Sequence, residues 1–213
     1  TTTTTTTPSA PSTSTTTTTL ASTSTTIAAA TTTTISAPAS TTTSTTLPGT
    51  EHPPRLVITE IMNNPSGLSD TQGEYFEIFN TGQHEANLEG IEISDADSDG
   101  FTIESFLGLP PGAFLVLGRS TAAAGGNVDY VYGNAMTLAN GVDEIIVSSG
   151  DTVIDSVFYD QSFPALAGRS LELAATAFSA DANDMATNWC LSSTPLADGD
   201  TGSPGTAGLA CAP

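Results

Sequence analysis

The stretch that decides the fold is EYFEIFN, residues 74–80, which runs directly into the turn signal Asn80-Thr81-Gly82. Aromatic and β-branched residues dominate the stretch, as is typical of a β-strand, and Asn and Gly favour a turn at its end. Short apolar runs of this kind, bounded by Gly, Pro, Asn or Asp, recur through residues 55–211. Short strands repeated at close spacing indicate an all-β domain.

From this pattern we predict an antiparallel β-sandwich of about nine strands. The predicted strands are Leu56–Met62, Glu74–Asn80, Leu88–Ser94, Phe101–Glu104, Ala113–Leu117, Val128–Tyr132, Glu144–Ser148, Thr152–Tyr159 and Ser170–Leu173. The turn Ser149-Gly150-Asp151 predicts a hairpin between the seventh and eighth of these strands. Helix signals are nearly absent, and we expect one helical turn around Ala180–Asn188.

The first 50 residues have a different composition, with 26 Thr, 8 Ser and no charged residue. Their few large apolar residues, which follow neither a strand nor a helix period, are Leu20, Ile27, Ile35 and Leu47. Such a segment cannot bury enough apolar surface to offset the entropy lost on ordering. We therefore predict an extended Thr/Ser-rich low-complexity stalk over residues 1–50 and a folded domain over residues 51–213.

Thr/Ser-rich segments with Pro are typical of O-glycosylated, mucin-like stalks, because an extended chain exposes every hydroxyl group. Two alternatives stay open, namely an unmodified flexible linker and strands formed in an assembly by the β-branched Thr residues. The candidate glycosylation sites are a subset of Thr1, Thr2, Thr3, Thr4, Thr5, Thr6, Thr7, Thr15, Thr16, Thr17, Thr18, Thr19, Thr31, Thr32, Thr33, Thr34, Thr41, Thr42 and Thr43.

The net charge of −20 belongs entirely to residues 51–213, which hold all 23 acidic residues. With Arg55, Arg119 and Arg169 as its only fixed cations, the chain cannot neutralise phosphates, and this argues against binding to the nucleic-acid backbone. Anionic lipid would repel it, and no run reaches the roughly 18 apolar residues that span a bilayer. We therefore expect neither a nucleic-acid partner nor membrane insertion.

Several motifs, in the same order along the chain, are similar to those of one family. ITEIMNNP at 58–65 resembles the opening ITEI-x-x-NP of lamin-tail domains. GEYFEIFNTG at 73–82 and NLEGIEISD at 87–95 resemble the next two motifs of that family, although Ile91 stands where Trp is usual. Later matches are Leu109-Pro110-Pro111-Gly112, Asp155-Ser156-Val157, Trp189 and Gly202-Ser203-Pro204-Gly205, with Ser203 in place of Thr. Residues 55–211 thus resemble a lamin-tail domain of the bacterial, secreted type.

The resemblance implies an immunoglobulin-like sandwich that associates with proteins or with itself and has no catalytic residues. The Thr/Ser-rich tail and the two cysteines support export, and no acid, base, nucleophile or metal set assembles in the sequence, so we expect a secreted or cell-surface structural or interaction protein that is not an enzyme. Two alternatives stay open. One is a subunit of an extracellular filament, joined by strand exchange through the Thr-rich segment. The other is an accessory domain of a larger exported hydrolase, because similar bacterial domains sometimes occur beside nucleases or phosphatases.

A candidate calcium site is formed by Asp95, Asp97 and Asp99, which alternate and are followed by Gly100. This spacing resembles the first half of a calcium loop, in which alternate carboxylates converge on a hard cation. The pattern departs from an EF-hand because Phe106 stands where the bidentate Glu is needed. The alternative is a solvated acidic hairpin loop.

Further acidic residues are candidates for a second, weaker cation site: Asp70, Glu74, Asp198 and Asp200. We interpret them as solvated loop residues. Glu60 and Glu77 lie inside predicted strands, where paired carboxylates suit acid–base chemistry. The favoured interpretation is structural, with each carboxylate accepting hydrogen bonds from loop backbone N–H groups. His52 and His84 lie near no nucleophile motif, and we predict no catalytic site.

Cys190 and Cys211 are the two cysteines of the chain. Because no His lies near enough to complete a zinc site, we predict a disulfide between them, which would hold the C-terminal end beside Trp189. The alternative is a pair of free thiols in a reducing compartment.

Overall fold

The computed structural model describes residues 53–96, 99–208 and 211. These residues form twelve strands: β1 (Leu56–Met62), β2 (Tyr75–Asn80), β3 (Ala86–Asn87), β4 (Ile91–Ser94), β5 (Gly100–Thr102), β6 (Gly108–Leu109), β7 (Phe114–Gly118), β8 (Tyr130–Val131), β9 (Asp143–Ser149), β10 (Thr152–Tyr159), β11 (Leu171–Leu173) and β12 (Trp189–Leu191). Two short helices, α1 (Asp70–Gly73) and α2 (Ala180–Asn183), and three 3₁₀ turns connect them.

The strands pair into three sheets. A six-stranded sheet has the order β12-β11-β1-β2-β7-β8, a four-stranded sheet has the order β10-β9-β4-β5, and β3 pairs with β6. All of these pairs are antiparallel except β7 with β8, which run parallel. The predicted all-β, immunoglobulin-like sandwich is therefore confirmed.

Each of the nine predicted strands is present, and β1 and β10 have the predicted ends. The estimate of about nine strands is nevertheless too low for the described part of the chain, because β3, β6 and β12 are additional. These three strands have two or three residues each. The hairpin is confirmed, since Ser149 pairs with Thr152 and Gly150 has a φ of 54°. The helical turn near residue 180 is confirmed as α2.

The main core lies between the two larger sheets. Ile58 and Phe76 from the six-stranded sheet, and Ile93 and Val147 from the four-stranded sheet, are fully buried in it. A second, smaller cluster contains Met62, Tyr75, Val116, Ala123 and Ala124. Because neighbouring strand residues point to opposite faces, this cluster lies on the outer face of the six-stranded sheet. All seven residues of β1 are accordingly buried.

The outer face is covered by the C-terminal part of the chain, whose residues 201–208 we call the strap. Its first residue lies beside the start of β11, where Ser170 N–H donates to the Thr201 carbonyl at 3.0 Å. Leu196, just before the strap, packs on the outer cluster. Beyond the strap, Cys211 is joined to Cys190 of β12 by the predicted disulfide. The strap is therefore held at both ends.

Asp155 connects the two larger sheets, from the edge strand β10 of one to the inner strand β1 of the other. β1 and β10 each contain a bulge, and the Ile58 N–H of β1 donates to Asp155 Oδ2 across the gap at 2.7 Å. Asn183 of α2 donates to the same oxygen at 2.8 Å, and Trp189 Nε1–H donates to the Asn183 carbonyl at 2.7 Å. Burial raises the pKa of Asp155 to about 6.

In the described part of the chain, no helix is long and apolar enough to cross a membrane.

Candidate functional site

Three glutamates form a row across the outer face of the six-stranded sheet. Glu60 of β1 pairs in register with Glu77 of β2 on one side and with Glu172 of β11 on the other. Directly paired residues in antiparallel strands have Cβ atoms about 4.5–5.5 Å apart, so the three carboxyl groups are close neighbours. All three residues are at most 2% exposed. The strap and the strands around it separate them from solvent.

Glu60 accepts more hydrogen bonds than its two neighbours in the row. Its Oε1 accepts from Tyr75 Oη and Ser170 Oγ, each at 2.6 Å, and from the Ser203 N–H at 2.9 Å. Its Oε2 accepts from Ser203 Oγ at 3.2 Å. The donors belong to β2, to the residue before β11 and to the strap. One buried carboxyl group thus joins three segments that are distant in sequence, and burial still raises its pKa.

The strap approaches Glu60 closely only because residue 202 is glycine. A Cβ atom added to Gly202 would lie 2.1 Å from Tyr75 Oη and 2.8 Å from Glu60 Oε1. Those contacts are shorter than van der Waals packing permits, so any larger residue would push the strap away from the sheet.

Glu77 makes a second contact between the sheet and the strap. Its Oε1 accepts from Thr59 Oγ1 at 2.7 Å, and its Oε2 accepts from the Gly205 N–H at 2.6 Å. Burial, followed by the nearby Glu60 carboxylate, raises the pKa of Glu77 to about 8. Glu60 and Glu77 both accept a backbone N–H from the strap, which confirms the structural interpretation of these two residues.

Glu74 is also buried, and it forms the one ion pair among the described residues. Arg119 Nη1 lies 2.8 Å from Glu74 Oε2, which also accepts the Leu138 N–H at 3.2 Å. The expectation of a solvated Glu74 is therefore wrong. Burial raises the pKa of Glu74, although Arg119 acts in the opposite direction.

Asp200 is a second acid that is not solvated. It is 2% exposed, and its carboxylate accepts the Ser66 and Gly67 N–H groups at 3.2 Å or less. Asp198 accepts the N–H groups of Asp200 and Gly125. Loops that fold back onto the sheet leave backbone N–H groups unpaired, and these acids satisfy them.

The candidate calcium loop is only partly described, because Asp97 lies outside the described residues. Asp95 and Asp99 close a turn in which the Asp95 N–H donates to the Asp99 carbonyl at 3.2 Å. Asp99 Oδ2 accepts the Thr137 N–H at 3.1 Å. Burial and the Asp95 carboxyl raise the pKa of Asp99 to about 6. Within residues 53–96, 99–208 and 211, no three His, Cys, Asp or Glu side chains are grouped so as to hold a metal ion.

Of the two histidines, the structure describes His84 but not His52. His84 is exposed in the turn after β2. His52, the boundary near residue 50 and all of the candidate glycosylated Thr residues lie outside the described residues, so they stay predictions.

Sequence reasoning missed several partners of the buried carboxyl groups, among them Ser170, Glu172 and Asn183. Glu172 sits between two apolar residues of β11, which is the usual pattern of a solvent-facing position. Only the strap that covers this face makes it buried. The sequence signal for this cover is the motif at residues 202–205, which predicts a tight turn but does not show that the turn packs on the row of glutamates.

A model of the Lamin Tail Domain family matches residues 49–161, which is more than half of the chain. The chain belongs to the lamin tail domain family. No curated protein matches it. The match confirms the family that the sequence motifs predicted. Lamin tail domains are immunoglobulin-like domains that mediate protein interactions. The match ends at residue 161, before β11, β12 and the strap.

We predict that Gly202→Ala lowers the free energy of unfolding by about 1–3 kcal/mol, because the added methyl group collides with Tyr75 Oη and Glu60 Oε1. Urea denaturation measures the change. Gly141→Ala is the matched control, since a Cβ at Gly141 meets nothing within 4 Å, and we expect it to stay within about 0.5 kcal/mol of wild type. Equal effects of the two substitutions would show that the strap does not lie on the sheet as described.

Proposed function

We propose that this chain is a secreted or cell-surface structural or interaction protein in which a glycosylated Thr-rich stalk presents the lamin tail domain. The observation that carries the proposal is the disulfide between Cys190 and Cys211 in a domain of this family. Disulfides form and persist in oxidising compartments, which include the cell exterior. A protein-interaction domain with such a bond suits an extracellular role.

The proposal also states that the protein is not an enzyme. The family is not a known enzyme family. The acids that the sequence offered for acid–base chemistry, Glu60 and Glu77, are both 1% exposed and accept hydrogen bonds from the strap. A substrate would have to displace the strap before it reached either carboxyl group. Their arrangement suits the joining of segments better than proton transfer to a bound molecule.

The stalk supplies reach and a glycosylated surface in this proposal. Its 26 Thr and 8 Ser residues offer many hydroxyl groups for O-linked sugars. An extended chain rises about 3.1 Å per residue, so 50 residues would hold the domain on the order of 150 Å from an attachment point. The absence of charge in residues 1–50 keeps the stalk from being repelled by the acidic domain that it carries.

A second candidate function is a filament subunit, in which the Thr-rich segment of one copy adds to the sheet of another. The observation that favours it is β10, an eight-residue strand at the edge of the four-stranded sheet. This edge carries no Lys, Arg or Pro to discourage pairing, Val153 and Phe158 are exposed, and Asp155 is turned inward. Electron microscopy of the full chain separates the candidates, because strand exchange produces fibres and presentation on a stalk does not.

We further propose that Ca²⁺ binds the loop of Asp95, Asp97 and Asp99. The support is the alternating spacing together with the raised pKa of Asp99, which reflects burial and a neighbouring acid. A divalent cation would offset the repulsion between these carboxylates.

We predict that the exported chain carries added mass in steps of single sugars, and that this mass maps to residues 1–50. Reduction should add the mass of two hydrogens as the disulfide opens. Intact-mass spectrometry before and after reduction and after deglycosylation measures both quantities. An unglycosylated chain with two free thiols would contradict the proposed stalk and location.

We predict that millimolar Ca²⁺ produces a heat of binding and raises the melting temperature of EDTA-treated protein. Titration calorimetry and thermal denaturation measure the two effects. Asp99→Asn should abolish both, and Asp151→Asn, which changes an exposed acid in the β9–β10 turn, should leave them unchanged. The absence of heat and of any shift in the wild-type protein would end the calcium proposal.

A further inference from the structure

The strap is attached to the sheet at three points of different kinds. Ser203 is bonded to Glu60, and Cys211 is joined covalently to Cys190. Between these two points, the one hydrogen bond from the strap backbone to a side chain of the sheet is the Gly205 N–H donating to Glu77 Oε2 at 2.6 Å, counting described residues only. The strap residues around Gly205 are exposed on their outer side. This section can therefore lift while both of its ends stay fixed.

Glu77 has fewer donors than its neighbour Glu60. Two groups, Thr59 Oγ1 and the Gly205 N–H, contact its carboxyl oxygens, whereas Glu60 accepts four hydrogen bonds. Two adjacent buried carboxyl groups do not both ionise readily, because the charge on one raises the pKa of the other. Glu77 is the one that more readily stays protonated, because the Glu60 oxygens already accept four hydrogen bonds. A neutral Glu77 can donate its O–H to Thr59 Oγ1 and still accept the Gly205 N–H.

The surroundings of Glu77 make its ionised form costly. The titratable groups that act on it are Glu60 on β1, Tyr75 on β2 and Asp129, which lies next to β7 and accepts the Val116 N–H. Every one of these groups is an acid, and the strap residues 201–208 have no charged side chain.

Glu172, the third member of the row, also lies under the strap. Its Oε1 is buried and has no hydrogen-bond partner within the described residues. A Cβ atom added to Gly208 would lie 2.8 Å from Glu172 Oε2, so the end of the strap rests directly on this carboxyl group. Lifting the strap would give both Glu77 and Glu172 access to water.

We propose that Glu77 is a proton-controlled latch: residues 204–208 stay on the outer face of the sheet while its carboxyl group is neutral, and its ionisation favours their lifting, because only the lifted state lets water solvate the carboxylate beside Glu60. The bond between Glu60 and Ser203 and the disulfide at Cys211 restrict the motion to this section. The surface that the strap uncovers is acidic and belongs to the six-stranded sheet. The domain thus presents a closed outer face in acid and an increasingly open one as the pH rises.

The sign of the pH dependence follows from proton linkage. The folded pKa of Glu77, about 8, is raised from the ordinary value of 4.5, so the closed state keeps a proton that the open state loses. The stabilisation of the closed state is complete below about pH 4.5 and is lost as the pH rises through about 8. The opening equilibrium therefore shifts toward the open state across this interval, by up to about tenfold per pH unit.

Hydrogen exchange of the full chain, read as protection factors between pH 5 and pH 8.5, tests the latch. In the wild-type protein, we expect the Gly205 amide, which is hydrogen-bonded to Glu77 on the sheet, to lose at least tenfold in protection across this range. Glu77→Gln, which keeps the size and both hydrogen bonds without ionising, should give a flat profile. Glu89→Gln, a change at an exposed position, should match wild type.

The amides of β1 serve as the internal reference, because a local opening leaves them protected. Loss of protection in β1 in parallel with the strap, or the same slope in wild type and Glu77→Gln, would overturn the latch. If Glu77→Gln does not fold, the wild-type Glu77 carboxyl carbon resonance decides. Titration of this resonance with a midpoint below pH 5 would overturn the proposal, and a midpoint above pH 6.5 would support it.

Discussion

The carboxyl group of Glu60 is the point through which the outer half of this domain is held together. It lies on the central strand β1, is 1% exposed, and accepts hydrogen bonds from β2, from the start of β11 and from the strap. A buried carboxyl group without such partners would be strongly destabilising. All of these donors therefore have to surround Glu60 in the folded domain, and this requirement determines how the C-terminal part of the chain packs on the sheet.

The same requirement explains why the folded unit extends beyond the family match. The match ends at residue 161, yet β11 pairs with β1, β12 pairs with β11, and the strap covers the outer face of both β1 and β2. Without residues 162–211, the outer sides of Glu60 and Glu77 would face water. In the four-stranded sheet, the long edge strand β10 has Val153 and Phe158 exposed, and it is the more accessible surface for a partner.

The sequence was informative where structure depends on neighbours along the chain. Short apolar runs bounded by turn residues located nine strands, Gly150 marked a hairpin, and the two cysteines predicted the disulfide. It was uninformative where a contact joins distant residues. The donors to Glu60 from Ser170 and Ser203 lie 110 and 143 residues away, and no local pattern encodes such pairs. Asp200 shows the same limit, because a Gly-flanked acid in a loop has the pattern of a solvated residue and is in fact buried.

The most direct test of this account is the free energy of unfolding of Glu60→Gln, measured by urea denaturation beside wild type. Glutamine replaces one carboxyl oxygen with an amide group, whose N–H donors would face the hydroxyl and N–H donors that now bond to Glu60. We therefore expect the free energy of unfolding to fall by about 2 kcal/mol or more. The exposed Glu104→Gln should stay within about 0.5 kcal/mol of wild type. A Glu60→Gln protein as stable as the Glu104→Gln control would contradict the claim that this carboxyl group holds the strap to the sheet.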